Sequence, residues 1–292
     1  MADRQWAGTT FGNGWMHRSL VRVLKVLDVR VLYLFSDIFI VPVCLIVCRS
    51  RRTAWDFYRR RLGNSPFRAA WMTYRNHCLF AQVVIDRFAM YAGRRFKVEL
   101  AGEDFFSSLA SRKEGFVQMS SHIGNYEIAG YSLNSADKAI HAVVYAREKE
   151  SVMKGRDSMF TKTNVSMIAL REDMGHLFEI NEALGRGDIV SFPADRHTEG
   201  TRCISADFLG SPARFPLGPF SVAAMRGVDA LAVNVMKVGT VKYRIYLTPL
   251  PYDRTAPRKE QITSLCREYV CSLEEAVRRH PLQWYNFFDF WA

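Results

Sequence analysis

The sequence predicts an α/β fold: one domain on a central, largely parallel mixed sheet flanked by helices, with an N-terminal helical, membrane-proximal extension. Three observations lead there. From Phe96 onward, short β-rich runs alternate with helix-length segments, the order expected of parallel strands and their crossovers. Ahead of them, Val31 to Cys48 carries Asp37 as its only charged residue. Apolar residues make up 49% and charged residues 24% of the 292, a globular balance that fits neither a disordered chain nor a polytopic membrane protein.

Taken in order, the apolar stretch Val29 to Cys48 reads VRVLYLFSDIFIVPVCLIVC. It is near the shortest length that crosses a ~30 Å hydrocarbon core. It starts too late and runs too long for a secretory signal, and it lacks a small-residue cleavage site. Asp37 and Pro42 weigh against a full crossing, since a lone carboxylate is costly in lipid. Arg49, Arg51, Arg52, Arg59, Arg60 and Arg61 follow at once, the flank of a segment whose C-terminal side faces the cytoplasm. A short anchor or interfacial helix is expected, a buried core helix being the alternative. Residues 1–65 are thus read as a membrane-associating helical extension and 66–292 as one α/β domain of catalytic size.

Within that domain, apolar residues at helical spacing (Trp71, Tyr74, Leu79, Val83, Phe88) predict a helix over Ala69–Tyr91. Strands are expected at Phe96–Leu100, Gly115–Ser120, Ala139–Tyr145, Ser166–Leu170 and Asp188–Phe192, then at Ala230–Val238 and Val241–Leu247 around a Gly239-Thr240 turn. Helices are expected at Tyr126–Leu133, Glu148–Thr161, Gly175–Leu184 and Leu217–Arg226, and from about Lys259 to Arg279.

Forty Lys and Arg against 29 Asp and Glu give a net charge of +11, which suits an acidic partner: nucleic acid, anionic headgroups or an acidic carrier protein. A solvated basic surface accounts for the charge equally well. No helix-turn-helix, RNA-binding or zinc signature favours nucleic acid. The six cysteines form no Cys-x-x-Cys and no zinc-finger spacing, so they read as reduced, packed thiols, and no metal site is expected.

The chemistry concentrates in Gly115 to Tyr131, GFVQMSSHIGNYEIAGY. An apolar strand ends near His122, and ligands of open α/β sheets collect outside the carboxyl ends of strands. Imidazole is the default general base near neutral pH. Glu127, five positions on across a tight turn, can reach back to fix its tautomer. Gly124 allows close backbone approach and helix N-terminal N–H groups that suit a developing oxyanion. Ser120 and Ser121 suggest a Ser-His nucleophile, but neither sits in a Gly-x-Ser-x-Gly elbow.

His-Ile-Gly-Asn-Tyr-Glu at 122–127 resembles the His-four residues-acid block of the lysophospholipid and glycerophosphate acyltransferase superfamily, in the form seen in lipid A late acyltransferases and phosphatidylinositol-mannoside acyltransferases. Two more blocks follow in order. Residues 185–220, GRGDIVSFPADRHTEGTRCISADFLGSPARFPLGPF, are similar to the downstream strand, acid-Arg and Pro-x-Gly-Pro segment, and HPLQWYNFFDFW at 280–291 to the Pro-x-Gln-Trp ending.

The resemblance implies a glycerophosphate acyltransferase-like fold. It implies a membrane-associated enzyme that moves an acyl chain from a thioester to a hydroxyl or amine of a lipid or glycolipid, without a resident cofactor. His122 takes the base position; Glu127 and Asp195 are the two acids, and which of them bonds the imidazole stays open. Arg196 and, less directly, Arg171 are expected anion contacts, while Asn125, Gly124 and His197 are expected at the substrate. Phe192-Pro193 continues as Ala-Asp-Arg instead of Glu-Gly-Thr-Arg, which disfavours a simple glycerol phosphate acceptor. The basic balance favours acyl carrier protein over coenzyme A as donor. The expected partners are that carrier, a membrane lipid acceptor and the membrane surface, at the cytoplasmic face of the inner membrane. A non-catalytic lipid-binding or carrier-scaffold relative of the same fold is the competing reading.

Overall fold

The computed structural model describes residues 14–133, 138–145, 164–171, 173–198 and 200–291. The helix expected at Glu148–Thr161 lies outside them. Seven strands form one sheet in the order β1-β9-β8-β2-β5-β3-β4, and β6 with β7 forms a separate hairpin. The strands are β1 (Lys97–Ala101), β2 (Phe116–Gly124), β3 (Ile140–Tyr145), β4 (Val165–Leu170), β5 (Ile189–Pro193), β6 (Cys203–Phe208), β7 (Ser211–Pro216), β8 (Ala230–Gly239) and β9 (Lys242–Pro249). Every pairing in the large sheet is parallel except β8 with β9, so the sheet is the largely parallel, mixed one the sequence predicts.

Helices cover both faces. On one side Val117, Met119, Val190 and Ala232 pack against α8 (Gly175–Arg186), α9 (Leu217–Arg226) and α10 (Arg258–Arg279). On the other, Phe116, Ile189, Leu231 and Val233 meet α6 (Glu103–Ala110), α7 (Glu127–Ser132) and the last turns of α5 (Pro66–Tyr91). Ser65 caps α5 by accepting from the Arg68 N–H at 3.4 Å, and Pro66 fills its first position, where no N–H is needed.

Among the described residues of 66–292, one α-helix and one hairpin escaped the sequence pattern. Helix α6 is eight residues long, too short for its periodicity to stand out. The β6–β7 hairpin turns through Leu209 and Gly210, both at positive φ, without the Asn-Gly or Asp-Gly signal of such turns. Glu274 stabilises it by accepting from the Leu209 N–H at 2.7 Å.

The apolar stretch folds as α2 (Val29–Phe35) and α3 (Val41–Val47), joined by a π-helical turn at Ser36–Ile40 just before Pro42. Val29–Val47 is long and apolar enough to cross a membrane, and only 22% of its most apolar window is buried, far less than a core helix buries. Leu34, Ile38, Phe39, Ile46 and Val47 are exposed. The face turned inward carries the polar groups. Asp37 Oδ2 accepts from Gln82 Nε2 at 3.3 Å, and the Tyr74 hydroxyl donates to the Asp37 carbonyl at 3.0 Å. The carboxylate that argued against membrane contact is thus directed at α5.

A buried cluster pins this segment to the sheet. Asp86 of α5 accepts from the hydroxyls of Tyr33 (α2) and Tyr243 (β9) and from the ammonium of Lys237 (β8). Lys237 Nζ also donates to the Thr240 carbonyl at 3.0 Å. Asp86 is fully buried and Lys237 nearly so. Burial pushes the Asp86 carboxyl up against the opposing pull of Lys237, and pushes the Lys237 ammonium down. Breaking a buried pair strands one charge. Lys237→Met is therefore expected to cost about 3–5 kcal/mol in denaturant unfolding, with much of it recovered by the double variant Asp86→Asn/Lys237→Met; an unchanged midpoint for the single variant would contradict the buried pairing.

Candidate active site

Strand β2 is the middle strand of the sheet, and it runs four residues further than its apolar pattern indicated. After an irregularity past Ser120 it rejoins β8 at Gly124–Val235, and Ile123 bridges Trp284 of the C-terminal segment. His122 therefore projects from the last residues of a strand held on both sides. Gly124 is essential to this closure. Its φ is +63°, and a Cβ there would stand 1.7 Å from the Val235 carbonyl oxygen. The Asn125 N–H donates to the same carbonyl at 2.9 Å, so it is committed to the sheet and not to an oxyanion.

Asp195, two residues past the end of β5, is the acid on the imidazole. Its Oδ1 lies 2.7 Å from His122 Nδ1, and its Oδ2 accepts from the His122 backbone N–H at 2.7 Å. The carboxylate is almost fully buried, while the His122 side chain keeps 14% exposure. This contact places the proton on Nδ1 and makes Nε2 the basic nitrogen. Glu127 faces α5: Arg87 Nε lies 3.1 Å from its Oε1, and the Tyr91 hydroxyl donates to Oε2 at 2.9 Å. Of the two carboxylates left open by the sequence, Asp195 orients the imidazole and Glu127 fastens the turn to α5.

The other expected residues divide. Arg196 is buried; it donates to the Tyr285 carbonyl at 2.6 Å and lies over the Phe288 ring. It thereby ties the C-terminal aromatic segment beside His122, whose carbonyl accepts from the Tyr285 N–H at 3.2 Å. Gly124 and Asn125 shape the turn and are not among the pocket-lining residues. Half-buried His197 stands near Arg214, outside the lining. Arg171 pairs at the surface with Glu179, and the pocket does not include it. Ser120 and Ser121 donate to the Phe192 carbonyl and to Asn234, so both hydroxyls serve the sheet.

His122, Tyr126 and Glu127 edge a pocket that descends along the sheet face beneath α7, between β2, β5, β3 and β4. Its walls are mainly apolar: Ile140, Ala142, Val144, Val165, Met167 and Val233. Tyr126 meets the imidazole edge-on at 5.2 Å between ring centroids. The sequence pointed to none of Arg87, Tyr91 or Tyr285 as supports of the site. Arg87 and Tyr91 are one helical turn apart on α5, a pairing that becomes visible only once α5 is placed beside the turn.

The family model for bacterial lipid A biosynthesis acyltransferases matches residues 89–292, a span that holds His122, Glu127, Asp195 and the whole sheet. The chain belongs to that family. It is an acyltransferase acting on lipid-related substrates. Among solved structures, the 1-acyl-sn-glycerophosphate acyltransferase PlsC from Thermotoga maritima is similar at 18% identity with a TM-score of 0.39, over 90% of this chain and 98% of that one. No curated protein matches the sequence.

In this lipid A acyltransferase relative, burial holds the His122 imidazole below its ordinary value of 6.5, aided by the Arg196 and Arg87 charges and opposed by Asp195. Burial works to raise the Asp195 carboxyl, but His122, by charge and hydrogen bond, and Arg196 outweigh it and hold it low. The folded state binds fewer protons at His122 than the unfolded chain just below pH 6.5, so this group removes stability as pH falls through that value. Nitrogen NMR should find an imidazole neutral at pH 7 with its proton on Nδ1. It should titrate below 6.5, and lower still in Asp195→Asn, which loses the charge that favours imidazolium; a rise in that variant would contradict the pairing.

Proposed function

We propose that the protein transfers a fatty acyl chain from an acyl thioester to a hydroxyl or amine of a membrane lipid or glycolipid, with His122 as general base. The observation that carries this reading is the Asp195-braced imidazole at the mouth of an apolar pocket. Nε2 takes the proton of the acceptor O–H or N–H as that atom attacks the thioester carbon. The tetrahedral intermediate collapses, the C–S bond breaks, and the imidazolium returns the proton to the departing thiolate. Proton and electron pair balance without an acyl-enzyme, and no metal or resident cofactor is invoked. The apolar pocket holds the acyl chain.

Acyl carrier protein is the proposed donor, since an acidic carrier suits the +11 charge. Arg59 and Arg61 are tied to Asn64 and Ser211, so the exposed Arg49, Arg51, Arg52 and Arg68 offer the freer surface. The exposed side of Val29–Val47 enters the cytoplasmic leaflet of the inner membrane while its inward side stays on α5, so residues 1–65 serve as an anchor and 66–292 carry the chemistry.

His122→Ala is expected to lower transfer from acyl carrier protein about 10²–10⁴-fold with an unchanged circular dichroism spectrum. Full activity of that variant would refute the base. In wild type the acid limb of the kcat/KM profile should lie below pH 6.5, since the neutral imidazole persists there. Replacing Leu34, Phe39 and Ile46 together by Ser should release the protein from sedimenting anionic vesicles; retention would remove the leaflet contact.

A further inference from the structure

The acyl pocket contains a polar group that its apolar walls do not explain. Gln118 of β2 is 3% exposed and lines the pocket floor, yet its Nε2 has no hydrogen-bond partner among the described residues. Leaving a buried amide donor unsatisfied costs about 1–3 kcal/mol, so an apolar side chain of similar size would serve a plain hydrocarbon channel better. Ser191 of β5 is the register partner of Gln118 and lines the same pocket. Two polar side chains therefore lie abreast in the floor, among Ala142, Met167 and Val233.

Their position along the pocket defines what they would meet. Gln118 precedes His122 by four residues on one strand, and both line the pocket. At ~3.3 Å per residue, and with the irregularity past Ser120 shortening the path, the two are about 10 Å apart. A group hydrogen-bonded there belongs to the body of the acyl chain, well removed from the thioester carbon at His122.

We propose that this acyltransferase selects acyl chains bearing a hydroxyl along their length, with Gln118 as the residue that recognises it and Ser191 alongside. A hydroxyl both donates and accepts, so it satisfies the carboxamide in either orientation of its oxygen and nitrogen. A carboxylate or ammonium in that place would be buried against a neutral amide without a counter-charge, which excludes charged substituents. The inference rests on the reading of the pocket as the acyl site and adds to it the class of chain.

The test uses the full-length protein with dodecanoyl donors on acyl carrier protein, one unsubstituted and the others carrying a single hydroxyl stepped along the chain. One mid-chain isomer should show kcat/KM about tenfold above the unsubstituted donor. Gln118→Leu should bring the kcat/KM ratio of the hydroxylated to the plain donor down to about one, with a melting temperature at or above wild type because the orphan amide is gone. Ser191→Ala should reduce the preference less. A wild type indifferent to every isomer, or a Gln118→Leu variant that keeps the preference, would overturn the proposal. Calorimetry with the free dodecanoic and hydroxydodecanoic acids separates the two readings. A hydroxyl preference in binding that Gln118→Leu removes supports the recognition even where no donor is turned over, a result that would count against thioester transfer alone. Turnover without any hydroxyl preference overturns the recognition alone.

Discussion

The site depends on one carboxylate that accepts twice from one residue. Asp195 takes the backbone N–H of His122 with one oxygen and the imidazole Nδ1 with the other. The first bond fixes where the residue stands on β2, and the second fixes how the ring is turned. A side chain anchored through backbone and ring together has little rotational freedom left to lose when substrate arrives. The requirement on the fold is strict, because β5 must run parallel beside β2 and end where β2 continues toward His122. Their register, from Phe116 with Ile189 to Ser120 with Pro193, meets it.

Around this pair the molecule is braced from its far ends. Trp284 bridges Ile123, Arg196 fastens Tyr285, and Gln283 exchanges two hydrogen bonds with the backbone of Lys237 at 2.8 Å each. Lys237 in turn belongs to the cluster with Asp86 and Tyr33 of the apolar segment. The C-terminal aromatics, the strand that carries His122 and the helix with the exposed apolar side are thus linked through a short series of buried polar contacts. The aromatic ending packs accordingly, with Trp284, Tyr285 and Phe290 buried.

Much of the architecture was legible in the sequence because parallel strands buried on both faces and the amphipathic helices α5 and α10 leave long, strong patterns. His122, Glu127 and Asp195 were legible as a set from three ordered blocks. The division of labour between the two acids was not, since it is decided by α5 placing Arg87 and Tyr91 against Glu127, a contact between residues 36 to 40 positions apart. Arg171 looked like an anion contact because it follows a strand, but the neighbouring helix puts Glu179 within its reach. Gln118 did leave a trace, as a lone carboxamide in the apolar run Phe116–Met119, yet its meaning depends on which strand lies beside it. The β6–β7 hairpin was hidden because a leucine occupies a turn position where asparagine or glycine gives the usual signal.

The Tyr33 hydroxyl is the feature with the widest practical reach. Removing residues up to 65 would take away the Tyr33 hydroxyl that covers Asp86 and Lys237 and let water reach that buried pair. The apolar segment and the sheet share one buried polar cluster, so a version cut after residue 65 would lose part of the fold itself and not merely an appendage.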